Sequence, residues 1–179
     1  MPADLPLKDM HLRHWGLTPA IATNNFEAAA VCLSRHHVSP TTVIIENGSL
    51  VAETNVEWDT PNARILGAWN NAIDATEMGA YACVIAAMEL TKGLLAVRRA
   101  ETGTGVDYYV GSPGSGQDDL ENCSRLEVSG VDAGTGHDVQ QRLLRKVEQA
   151  RRGDSGLPAI AGVVGFAARL IAFADVGPG

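Results

Sequence analysis

At 179 residues the chain has the length of one domain, and such a chain buries roughly 70% of its unfolded surface without a disulfide or metal staple. Apolar residues at 45% and charged residues at 20% are ordinary for a folded domain, which excludes a disordered, collagenous or disulfide-stapled chain. Fourteen Lys and Arg against 21 Asp and Glu leave a net charge of −7, so contact with a polyphosphate needs a local basic patch or a basic partner.

Phe, Trp and Tyr supply only three residues each, so the core must come mostly from Ala, Val, Leu and Ile. Cys32, Cys83 and Cys123 are far apart and form no CxxC pair, which supports neither a zinc site nor a disulfide framework. Cys32 and Cys83 lie in apolar stretches and read as small core residues in a reducing cytoplasm. Residues 1–6 lack the basic flank and apolar run of a signal peptide. Leu157 to Val176 is almost wholly apolar, yet Arg169, Asp175, Pro158, Gly162 and Gly165 interrupt it, so buried core is expected there and no membrane span.

In chain order, an irregular lead-in of 20 residues precedes a helix expected from Phe26 to about His36, capped by Asn24 or Asn25. A hairpin follows, Thr42–Ile45 and Leu50–Val56, with Asn47-Gly48 favouring a type I′ turn. The stretch Asp59–Asn71 has no clear period. Asp74-Ala-Thr-Glu77 reads as a capping-box variant opening a buried helix over Thr76–Thr91, which Gly93 ends. Strands are expected at Leu94–Ala100, Val106–Gly111 and Ser124–Val131, with a glycine-rich loop at Gly111–Gly116. An amphipathic helix from Asp138 to Arg152 then leads to one or two strands over Ile160–Val176.

The second half therefore runs helix, three strands, helix, strand. That order, with Asp107 in Gly105-Val-Asp107 on the second strand and Glu127-Val-Ser129 on the third, resembles the core of the PD-(D/E)XK nuclease-like superfamily. The resemblance covers roughly residues 73–176 and leaves residues 1–72 as an N-terminal α/β extension of one domain. It implies an α/β or α+β fold with a mixed central sheet flanked by helices. It also implies that Asp107 and Glu127, with Glu77 of the preceding helix, hold Mg²⁺ or Mn²⁺. Carboxylate oxygens suit these hard cations, which polarise a phosphodiester. The residue two after the glutamate is a lysine in that superfamily and Ser129 here, and serine carries no positive charge. Lys146 on the amphipathic helix is the substitute, with Gln140, Gln141 and Arg145 as further candidates for the same site.

Each of these residues also has a plain structural reading. Glu77 can serve the helix start, Asp107 can close a glycine-rich turn, and Glu127 can be a solvated edge charge. Arg142, Arg145, Lys146, Arg151 and Arg152 form the one local basic cluster, either a nucleic-acid contact or a solvated helix face. Arg98 and Arg99 alternate, so at most one of them shares a face with Asp107. His36 and His37 diverge around a helix and make a poor joint metal site, and His11 and His14 lie in a segment with no helical period. No G-x-S-x-G elbow surrounds Ser129, Ser124 or Cys123, and no P-loop or dinucleotide fingerprint is present. Two functions follow as expectations. One is a metal-dependent nuclease-like domain that binds nucleic acid through Arg142, Arg145 and Lys146, with Lys146, Glu127 and Ser129 at the reacting centre. The other is a non-catalytic regulatory protein working through a protein partner.

Overall fold

The apolar run at the C-terminus becomes the middle of the sheet. The computed structural model describes residues 1–115, 118–153 and 155–178, so Gly116, the end of the glycine-rich loop, lies outside the described residues. Ala159–Gly165 (β7) and Leu170–Val176 (β8) pair antiparallel, and β7 is buried at every position, as a strand covered on both faces must be. Ser124–Val131 (β6) runs parallel to β7, and Thr41–Asn47 (β2) runs parallel to β8. Leu50–Val56 (β3) and the two-residue Ala3–Asp4 (β1) extend one side; Tyr108–Gly111 (β5) and Leu95–Arg99 (β4) extend the other. The eight-stranded mixed sheet has the order β1-β3-β2-β8-β7-β6-β5-β4. Residues 1–72 thus complete the sheet of the second half.

Among the described residues four α-helices flank it: Pro19–Ser34 (α1), Ala63–Ala68 (α2), Ala72–Lys92 (α3) and Gly136–Arg151 (α4). The order α3-β4-β5-β6-α4-β7 matches the expected helix, three strands, helix, strand. α3 is apolar on nearly all sides because it packs on the sheet and carries α1 on its back. Small residues make this possible: a Cβ on Gly79 would lie 3.0 Å from the Ala29 backbone. α4 covers the opposite face, where Val139 and Leu143 meet Ala161, Val163, Leu170 and Ala172. Among the described residues, no helix is long and apolar enough to cross a membrane.

Several boundaries differ from those expected. α1 starts at Pro19, capped by Thr18 whose hydroxyl accepts from the Ile21 N–H, so Asn24 and Asn25 lie inside it. Proline at the first helical position has no N–H to satisfy and acts as a start signal. α3 is capped by Asn71 and not by Asp74, which falls in the first turn; Gly93 ends it in the left-handed conformation as expected. α4 opens at Thr135, with Asp138 as the third residue of a reciprocal capping box. The hairpin loop is Gly48-Ser49 with positive φ at Gly48 alone, a type II′ pattern and not type I′. Residues 10–12 form a 3₁₀ turn, and 63–68 form α2.

That 3₁₀ turn leads into a segment that covers edge strand β4. Ala96 donates its N–H to His14 Nδ1 (2.9 Å), and its carbonyl accepts from the Gly16 N–H (3.0 Å). Both main-chain groups of Ala96 on that edge are satisfied without another strand, which blunts the edge. Since Nδ1 accepts, Nε2 carries the proton and donates to Glu89 Oε2 of α3 (2.8 Å). Arg13 Nε holds the other Glu89 oxygen (2.6 Å). Burial lowers the His14 pKa, against the opposing pull of Glu89 and with a smaller contribution from the Arg13 charge. The unfolded chain therefore takes up this proton first. Stability is expected to fall as pH drops below about 6.5, by up to about 1.4 kcal/mol per pH unit. Urea denaturation at pH 7.5, 6.5 and 5.5 checks this: His14→Gln should be less stable at pH 7.5 and should lose that part of the slope.

Candidate functional site

The ladder between β5 and β6 stops at Tyr108↔Leu126, although β6 continues to Val131. Upstream of Tyr108, Gly103 and Gly105 adopt positive φ, 90° and 71°, and turn the chain away from the sheet. Asp107 stands at the resulting fork. Its N–H donates to the Leu126 carbonyl (2.8 Å), and its Oδ2 accepts from the Val128 N–H (2.8 Å). Beyond the fork no strand among the described residues lies beside the β5-side edge of β6. The N-terminal half of α3 closes over it on one face and α4 on the other, leaving a cleft of about 650 Å³.

Period-2 alternation divides the cleft. Leu126 and Val128 point under α3, while Glu127 and Ser129 point toward α4. Glu127 is not the solvated edge charge that its strand position suggests: it is 3% exposed. Lys146, one helical face along α4, reaches it with Nζ–Oε1 of 2.5 Å and also donates to Gln149 Oε1 (3.2 Å). Burial raises the Glu127 pKa, the Lys146 hydrogen bond opposes this, and the charge of nearby Asp107 reinforces it. Arg142, one turn earlier on α4, donates Nη1 to Ser129 Oγ (3.4 Å). On the other face, Tyr81 OH donates to Asp107 Oδ1 (2.8 Å), and Arg99 lies 3.7 Å from the same oxygen.

Six of the expected residues, Glu77, Asp107, Glu127, Ser129, Arg142 and Lys146, therefore line one cleft. Glu77 is exposed on its rim, away from the role of helix-capping acid. Arg145 lies outside it, in an adjoining groove with His137 and Gln141 that shares Arg142 with the main cleft. Gln140 faces the other way and donates to Glu46 of β2 (2.8 Å). The three acids do not gather: among the described residues, no group of three or more His, Cys, Asp or Glu side chains is placed to hold a metal ion. Asp107 and Glu127 line the same cleft, near enough that the Asp107 charge raises the Glu127 pKa, and the Val128 carbonyl lies on the open edge with its N–H. An all-oxygen set of this kind fits a hard cation.

Tyr81 and Gln149 are the residues that sequence reasoning passed over, and Arg99 is the one of the Arg98–Arg99 pair that reaches Asp107. Tyr81 follows Glu77 by four positions, so the helical repeat already placed both on one face of α3. His36 and His37, like His14, do structural work. His36 and Arg35 both bond Asp132 (3.1 Å each), and His37 meets the Phe166 carbonyl (2.8 Å), which ties the end of α1 to the loops after β6 and β7. Burial pushes the Cys32 thiol up to about 11 and raises that of Cys83, as befits inert core residues.

A buried ion pair of this kind is asymmetric to mutation. Lys146→Met should cost about 3 kcal/mol at pH 8, because Glu127 is left uncompensated in the interior. Glu127→Gln should cost well under half of that, since Lys146 is 20% exposed and can rehydrate. The Lys146→Met deficit should shrink as pH falls from 8 toward 5, because burial makes the folded state bind the Glu127 proton more tightly than the unfolded chain does. Chemical denaturation at both pH values measures all three.

Compared with known proteins, the chain matches no family model, no curated protein and no solved structure.

Proposed function

We propose that the cleft is a phosphodiester-binding site of the PD-(D/E)XK nuclease-like kind, dependent on Mg²⁺ or Mn²⁺. The observation that carries this reading is the Lys146–Glu127 contact at 2.5 Å beside the Asp107 fork. It supplies, from α4, the cationic group that Ser129 lacks. Asp107, Glu127 and the Val128 carbonyl would hold the cation, with Glu77 no nearer than the rim. When bound, that ion would polarise a phosphate and favour ionisation of water. The side chains have separable roles. Lys146 offset against Glu127 places an ammonium where negative charge develops on the phosphate. Arg142 presents a planar fork of N–H donors for a second phosphate oxygen, and Arg145 in the adjoining groove extends the same positive track. With a net charge of −7, that local track is where a polyanion gains attraction.

A second reading, a regulatory protein that captures a partner, is favoured by one specific feature: the open edge of β6. Its unpaired main-chain groups past Leu126 suit an extended peptide added as a strand. Arg142 and Lys146 would select an acidic one.

Cleavage of supercoiled plasmid and of a labelled single strand, with Mn²⁺ or Mg²⁺, separates the two. The nuclease reading expects Asp107→Ala to abolish cleavage and Lys146→Ala to reduce it about 10²–10³-fold, the usual cost of removing one transition-state donor. An inactive wild type, or equal activity in Asp107→Ala, overturns it in favour of the second.

A further inference from the structure

Arg99 owes its place to an irregularity in an edge strand. Between β4 and β5 the register runs Ala96↔Val110 and then Arg98↔Tyr109, so Val97 is an extra residue on β4. Without that bulge Arg98 would stand opposite Tyr108; with it, Arg99 does. Bulges re-aim side chains in this way, often next to functional sites. The guanidinium of Arg99 then lies across two aromatic faces, 4.6 Å from the Tyr81 centroid and 4.8 Å from that of Tyr108, whose rings pack edge to face at 5.6 Å.

The direction of the next contact matters. Arg99 Nη2 donates to Tyr81 Oη (3.0 Å), which leaves the phenolic proton to be donated to Asp107 Oδ1 (2.8 Å). Asp107 Oδ2 takes the Val128 N–H. Each oxygen of Asp107 thus accepts one fixed hydrogen bond, and the carboxylate has one orientation with its remaining lone pairs free. Arg99, at 3.7 Å, contributes its charge without making a hydrogen bond to the carboxylate. A group serving only to neutralise Asp107 would bond it directly, as guanidinium forks do. Here the guanidinium orients the tyrosine, and the tyrosine orients the acid.

We propose that Tyr81 and Arg99 are positioning residues that aim the Asp107 carboxylate at a divalent cation in the cleft. The proposal rests on the reading of that cleft as a Mg²⁺ or Mn²⁺ site. Supporting partners of metal ligands are worth about 10–100-fold in affinity.

Mn²⁺ titration of the whole protein, followed by calorimetry and by the electron-spin signal of free Mn²⁺, tests it alongside melting temperatures taken without metal. Tyr81→Phe and Arg99→Gln should each weaken Mn²⁺ binding about tenfold or more. In an Asp107→Asn background, adding Tyr81→Phe should cause no further loss, because its effect passes through that carboxylate. Arg99→Gln, at a half-exposed position, carries the test if Tyr81→Phe does not fold. Wild-type affinity in folded Tyr81→Phe or Arg99→Gln overturns the positioning role alone. An equal loss with and without Asp107 does the same, because it would mark a general structural effect. A wild type that binds no Mn²⁺ removes the metal reading of the cleft and this inference together.

Discussion

The early end of the β5–β6 ladder is the constraint on which the rest of this molecule depends. A strand inside a sheet has hydrogen-bonding groups on both edges, and those facing no neighbour must find side chains, water or a ligand. β6 loses its neighbour after Leu126, and among the described residues only the Val128 N–H on that edge is taken up, by Asp107. The gap is the cleft. Had β5 begun four residues earlier, Asp107 would be a ladder residue and the β6 edge beside Glu127 would be paired.

Stability alone is a poor reason for the Glu127–Lys146 pair in that gap, and the proposed phosphodiester site would give it a use. A buried ion pair is seldom worth more than apolar residues of the same volume, because desolvation of both charges offsets their attraction. Perturbed carboxylates in a cleft, with a second acid close enough to raise their proton affinity, cluster at functional sites. The bulge that turns Arg99 toward Tyr81 and Asp107 belongs to the same pattern, a local departure from regular structure next to the charged groups.

The scaffold around the cleft is set by small side chains. Gly79 lets α1 approach α3, and Gly130 lets α3 approach β6, where a Cβ would lie 2.8 Å from Thr76 Cγ2 and 2.9 Å from its carbonyl oxygen. That second approach brings Glu77 and Tyr81 of α3 to the open edge. At the far ends the sheet is closed in two ways: β1 adds a two-residue parallel strand to β3, and the segment around His14 caps β4. Arg125, buried beside Glu127 on the same strand, donates to the Ala150 carbonyl and steadies the C-terminal turn of α4, the helix that carries Lys146.

Local patterns in the sequence determined much of this. The hairpin, the apolar α3 with its Gly93 stop, the amphipathic α4, the order of elements after residue 72 and the burial of the C-terminal run all follow from periodicity and turn chemistry, which act over a few residues. Glu77, Asp107, Glu127 and Lys146 were grouped by the resemblance of the element order to the PD-(D/E)XK core, and they line one cleft although the three acids do not gather. Helix starts were less legible, since Thr18, Asn71 and Thr135 compete with neighbouring residues of equal capping strength. Only the tertiary structure decided that Glu127 is buried and not solvated, that Gln140 turns toward β2, and that Arg99 replaces Arg98 over Tyr108. Each of these depends on a contact between residues distant in the chain, or on one unpaired residue in a ladder. Neither leaves a periodic trace, because alternation specifies a face and says nothing about what covers it.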